Sequence, residues 1–131
     1  MAKILRFVLL LALALPFAAC DSSEPEIPTF SVASVTVSDG ADQFLQFVAR
    51  PSTDVELSSV VIENPVGNTQ TFNAGNQLIL ANDPLPLQDS DFGYFRVSGQ
   101  WSFRFTGISD GGAGERFTVT TQINVSARVR N

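Results

Sequence analysis

Any chemistry in this chain has to come from a short list of side chains. Cys20 is the only cysteine, Lys3 is the only lysine, and the 131 residues contain no histidine. Ser-His-Asp and Cys-His nucleophile pairs therefore cannot be assembled. The commonest zinc sites fail with them, because they draw on histidine or on several cysteines. A lone cysteine also cannot form a disulfide within the chain, even in an oxidising compartment. Thirteen Asp and Glu remain, and a carboxylate pair could serve as acid and base. A chain this short has no room for a deep cleft, so a small carboxylate-based enzyme is the weakest reading and no enzyme is expected.

Two other clusters could hold a ligand. Asn82-Asp83 and Asp89-Ser90-Asp91 form the densest oxygen-rich segment, and calcium takes carboxylate and carbonyl ligands from loops, which nominates Asp83, Asp89 and Asp91. Their spacing matches no EF-hand, and polar residues that initiate turns explain the same segment. Phe92, Tyr94, Phe95 and Trp101 include the aromatics that a sugar could stack on. Read with a period of two, Phe92 and Tyr94 share one face of a strand and Phe95 lies on the other. Trp101 is most simply a core residue.

The sulfur of Cys20 needs another use, and the residues before it supply one. Lys3 and Arg6 precede an unbroken apolar run, Phe7 to Ala19 (FVLLLALALPFAA), the layout of a secretory signal peptide. Thirteen residues interrupted by Pro16 are too few to span a bilayer, which takes about 20. Ordinary cleavage wants small residues one and three positions before the cut. Phe17 or Pro16 would occupy the third position for cuts after Ala19 or Ala18.

Phe17-Ala18-Ala19-Cys20 instead resembles the lipobox of bacterial lipoproteins, with Phe17 standing where leucine is more usual. The resemblance implies a diacylglycerol thioether on Cys20, cleavage just before it, and an N-acyl chain on the new terminus. At ~0.8 kcal/mol per buried methylene, several acyl chains hold a protein on a membrane, whereas one is marginal. The expected protein is lipid-anchored in the bacterial envelope, facing the periplasm or the cell surface. Asp21 resembles a sorting signal that bacterial groups read differently, and a solvated linker charge explains it equally well.

Residues 1–19 are thus expected to be lost, and residues 20–29 to be a lipidated cysteine with a flexible linker. Asp21 to Thr29 (DSSEPEIPT) cannot bury enough apolar surface to fold. Nine residues at ~3.1 Å each in extended polyproline form reach about 28 Å. The chain beyond Ala19 has six Arg against thirteen Asp and Glu, 6 − 13 = −7. It also lacks lysine, so a Ser-Lys pair is excluded with the others. Arg50, Arg96, Arg104, Arg116, Arg128 and Arg130 are scattered, which argues against nucleic acid, since polyanions are bound by clustered cations.

The elements that must position these residues are strands. Eleven Phe and many Val and Ile, punctuated by nine Gly and seven Pro, favour β structure over helices. Phe117 to Val129 alternates apolar and polar residues over about fourteen positions between Arg116 and Arg130, the pattern of a strand with one buried face. Gln100 to Thr106, carrying Trp101, Phe103 and Phe105, should pair with it antiparallel through a turn spread over Gly107 to Glu115. Further strands are expected near Ser31–Val37, Phe44–Arg50, Leu57–Glu63, Gln70–Phe72, Gln77–Leu80 and Phe92–Val97. Turn signals separate them: Asp39-Gly40, Pro51-Ser52, Asn64 to Asn68, Ala74-Gly75-Asn76, Asn82-Asp83-Pro84 and Ser98-Gly99.

Seven or eight short strands in residues 30–131 point to an all-β, two-sheet antiparallel sandwich. Leu57 to Phe72 around Asn-Pro-x-Gly, and Gly99 to Phe103 running through the Gly-rich hairpin into the long last strand, resemble immunoglobulin-like domains of exported bacterial proteins. The paired inter-sheet cysteines of antibody domains are missing. That resemblance implies a non-enzymatic binding or structural module meeting an unknown envelope protein or a glycan, with a carbohydrate-binding module as the alternative. No cofactor is expected beyond the lipid on Cys20.

Overall fold

The computed structural model describes residues 27–127. Phe17, Ala18, Ala19, Cys20 and the last positions of the expected terminal strand, Arg128 to Arg130, lie outside them. Eight strands follow in order: β1 (Phe30–Asp39), β2 (Asp42–Pro51), β3 (Val55–Glu63), β4 (Thr69–Ile79), β5 (Leu85–Pro86), β6 (Tyr94–Phe95), β7 (Gly99–Ser109) and β8 (Arg116–Val125). They form two antiparallel sheets. In the first, β2 pairs with β1 on one edge and with both β5 and β6 on the other; the second runs β4-β3-β7-β8.

Alternation decides which side chains meet between the sheets. On β2, Leu45, Phe47 and Ala49 are buried; on β3, Val55, Leu57, Val60 and Ile62; on β7, Trp101, Phe103 and Phe105. The rings lock the layers together. Phe30 of the first sheet stacks on Phe105 of the second at 4.0 Å between centroids, and Phe47 meets Phe103 edge-on at 4.8 Å and Trp101 at 5.0 Å. Each such side chain contributes about 1.5–3 kcal/mol when fully buried. This is the all-β, two-sheet arrangement that the alternation predicts.

The connections show where turn chemistry and strand geometry compete. In the β3–β4 loop the Asn64 side-chain oxygen accepts the backbone N–H groups of Val66 at 3.1 Å and Asn68 at 2.9 Å, a turn made by a short polar side chain. Ala74-Gly75-Asn76, expected to be a turn, is a bulge within one continuous β4. Leu57 pairs with Gln77 and Ser59 with Asn73, so Ser58 alone faces three residues. Asn76 absorbs the surplus in the left-handed region at φ 59°, and Ser58 Oγ donates to its Oδ1 at 2.9 Å. The expected strands at Gln70–Phe72 and Gln77–Leu80 are therefore one strand.

Two further expectations are corrected. Gly107 does not begin the turn: Gly107, Ile108 and Ser109 continue β7, because a glycine is needed where β7 crosses Glu56. A Cβ there would lie 2.3 Å from the Glu56 carbonyl oxygen. The turn proper occupies Asp110 to Glu115, closed by Ser109, whose N–H donates to the Glu115 carbonyl at 2.9 Å and whose hydroxyl accepts the Glu115 N–H at 3.1 Å. At the far end β8 stops at Val125, and the next carbonyl, Ser126, accepts the Arg96 guanidinium at 2.7 Å instead of a ladder bond.

Candidate functional site

The segment between β5 and β6 positions the aromatics. Leu87 N–H continues the β2 pairing by donating to Phe47 O at 3.0 Å. The Phe47 N–H is then taken by the Gln88 side chain at 2.9 Å, so a side chain closes the ladder where no strand residue does. The chain swings out through residues 89–92 and returns at Gly93, whose φ is 94°. Gly93 N–H donates to Ser90 Oγ at 3.0 Å, and Gln46 Nε2 donates to Asp91 O at 2.6 Å.

That left-handed glycine breaks the period-two reading of Phe92 to Val97. Phe92 and Tyr94 do not share a face. Tyr94 pairs with the inward residue Leu45, and Phe95 with the outward residue Phe44. Tyr94 turns into the core beside Phe47 and Trp101, with centroids at 5.7 and 6.3 Å. Its hydroxyl donates to Leu87 O. Burial, aided by the nearby charge of Asp89, pushes its phenol up to about 12.

Trp101 is only 2 % exposed and donates its indole N–H to Val97 O at 2.8 Å. Of the three aromatics nominated for ligand stacking, Phe92, Tyr94 and Trp101, only Phe92 stands in solvent.

The exposed cluster is a different trio. Phe92 and Phe95 both lean on Phe44, at 5.5 and 4.9 Å, and are 45 % and 70 % exposed on the outer side of the first sheet. The sequence carries a signal for Phe44. It falls out of phase with Leu45, Phe47 and Ala49, so strict alternation sends it outward. Nothing in the local pattern says that Phe92 and Phe95 would meet over it, since that depends on the backbone reversal at Gly93.

Phe95 also lines a groove of about 270 Å³ together with Tyr94, Val97 and Trp101, with Val66 and Asn68 of the β3–β4 loop, and with Gln70 of β4. A second depression of about 350 Å³ on the hairpin side is lined by Asp42, Gln43, Arg96 and Phe95.

The three nominated calcium ligands do not come together. Asp83 sits in a turn whose N–H donates to Leu80 O at 3.0 Å, beside Asn82, whose carbonyl accepts from Arg50 at 2.8 Å. Asp91 is tied instead to Gln46. Arg50 and Gln46 are four residues apart on β2, about 13 Å at the strand rise. Among the described residues no group of three or more His, Cys, Asp or Glu could hold a metal ion. No described helix is long and apolar enough to cross a membrane.

No protein-family model, curated protein or solved structure matches this chain.

Proposed function

We propose that the chain is the precursor of a bacterial lipoprotein, anchored in the envelope by lipid on Cys20, whose folded part is a non-enzymatic, immunoglobulin-like binding module. Three things support the reading. The first twenty residues resemble a lipoprotein signal, with small residues before a lone cysteine. The chain alternates in pairs between the sheets, with β1 and β2 beside β5 and β6 and with β3 between β4 and β7, which is how an immunoglobulin-like sandwich distributes its strands. Its tryptophan lies on β7 rather than on the third strand, which is a departure from antibody domains.

The third support carries the binding claim. Phe44, Phe92 and Phe95 form one aromatic cluster with two rings in solvent. A folded chain has no stability reason to hold neighbouring phenylalanines in water, and contiguous apolar surface of this kind marks contact with a partner.

The test is retention. Full-length protein purified in detergent and immobilised should capture a component of envelope extract or of a glycan panel. The double variant Phe92→Ser, Phe95→Ser should lose it while unfolding at the wild-type temperature. Equal capture by the variant would refute the assignment of this face.

A further inference from the structure

We propose that the groove beside Phe95 is a binding site for a neutral saccharide, with Phe95 as the stacking ring and the Asn68 and Gln70 amides as its polar contacts. The proposal deepens the binding-module reading above and rests on it.

The first argument is chemical. A pyranose ring offers apolar C–H faces and edges of hydroxyl groups that both donate and accept. Phe95, 70 % exposed, and Val66, 69 % exposed, both line the groove and give it apolar surface. Asn68 and Gln70 supply the matching edges, since an amide side chain carries a donor and an acceptor together. Small-molecule sites generally combine mostly apolar walls with a few convergent polar groups, and at about 270 Å³ the groove is slightly smaller than their usual ~300–1,000 Å³. That is room for a short stretch of sugar chain, not for a large enclosed ligand.

The second argument is electrostatic. Carboxylates outnumber arginines on this chain beyond Ala19, yet among the described residues no Asp, Glu or Arg lines the groove. An ionised ligand would give up water there without gaining a counter-charge. A neutral ligand carries no such cost. The third argument is rigidity. The Tyr94 hydroxyl and the Trp101 indole N–H are already bound to the Leu87 and Val97 carbonyls, and Asn64 fixes the loop that carries Val66 and Asn68. A site fixed before binding loses less ordering entropy when it is occupied.

The experiment titrates full-length protein in detergent with neutral gluco-, xylo- and N-acetylglucosamine oligosaccharides. It is followed by calorimetry and by fluorescence of Trp101, the only tryptophan. At least one oligosaccharide should bind and change the Trp101 emission. Phe95→Ala, and separately the pair Asn68→Ala with Gln70→Ala, should each weaken it about tenfold without lowering the unfolding temperature. Leu78→Ala, an exposed apolar residue on β4, should bind as wild type. Absence of binding across the panel, or binding indifferent to both groove variants, overturns the proposal.

A peptide array run in parallel separates the two levels. Peptide capture lost in Phe95→Ala with no saccharide bound removes the saccharide and leaves the binding module standing. Silence in both, with envelope capture insensitive to Phe92→Ser and Phe95→Ser, removes both.

Discussion

At the residue scale the most informative side chain is Tyr94, because its neighbours fix its protonation. The phenol is pushed up to about 12, first by burial and then by the charge of Asp89, while in the unfolded chain it titrates near ~10. The neutral form is thus favoured by folding. Its stabilising contribution is fully present below pH ~10 and is lost as pH rises from there through about 12, since the unfolded chain sheds the proton first. As Tyr94 is the only tyrosine, phenolate absorbance reports it without overlap. The folded protein should ionise with a midpoint about two pH units above the same protein in denaturant, and Tyr94→Phe should lose less stability than wild type across that window. A common midpoint in the two states would contradict the buried hydroxyl. Other residues define what is absent: with no histidine and one cysteine, Ser-His-Asp and Cys-His nucleophile pairs cannot be assembled.

At the element scale, legibility followed the regularity of the backbone. β2 and β7 alternate cleanly, so their buried faces are legible in Leu45-Phe47-Ala49 and Trp101-Phe103-Phe105, whereas on β3 the buried positions change phase from Val55-Leu57 to Val60-Ile62 across the register shift at Ser58. Misreadings cluster where a residue leaves the extended region without ending the strand. Asn76 turns left-handed inside β4 and hides a bulge that looks like a turn, and Gly93 does the same before β6, sending Phe92 outward and Tyr94 inward. Gly107 misled in the opposite sense, looking like turn chemistry where close packing of β7 on Glu56 demands the absence of a Cβ. The exposed trio was legible only in part, because its assembly depends on a contact between β2 and a loop some fifty residues later. Gly107→Ala tests the packing account. The added methyl group meets backbone, which cannot rotate away, and overpacking of this kind costs about 1–3 kcal/mol. At roughly 4–8 °C per kcal/mol for a domain near 100 residues, thermal unfolding should fall by at least several degrees. An unchanged midpoint would mean that β3 and β7 do not approach as described.

At the scale of the whole molecule, the proposed lipoprotein consists of a lipid, a tether and a folded module. In the proposed lipoprotein, the excess of carboxylates over arginines disfavours contact with anionic head groups, which would leave attachment to the acyl chains. Pro28 is buried and the Thr29 N–H donates to Ser52 Oγ, which shortens the expected flexible linker: the proposed tether is residues 21–27, about 22 Å at ~3.1 Å each. Phe95, paired with Phe44 toward the end of β2 opposite the Phe30–Pro51 pair, would stand at the far end of the module, where an envelope glycan or protein can meet it. The claim on which this depends is made by one sulfur atom, and intact mass spectrometry of the protein purified from its native membrane tests it most directly. The expected result is a chain beginning at Cys20 and heavier than its peptide mass by a diacylglycerol and an N-acyl group, with Cys20→Ala accumulating as the full precursor. A chain beginning at any other residue, or one beginning at Cys20 with no added lipid mass, would contradict it.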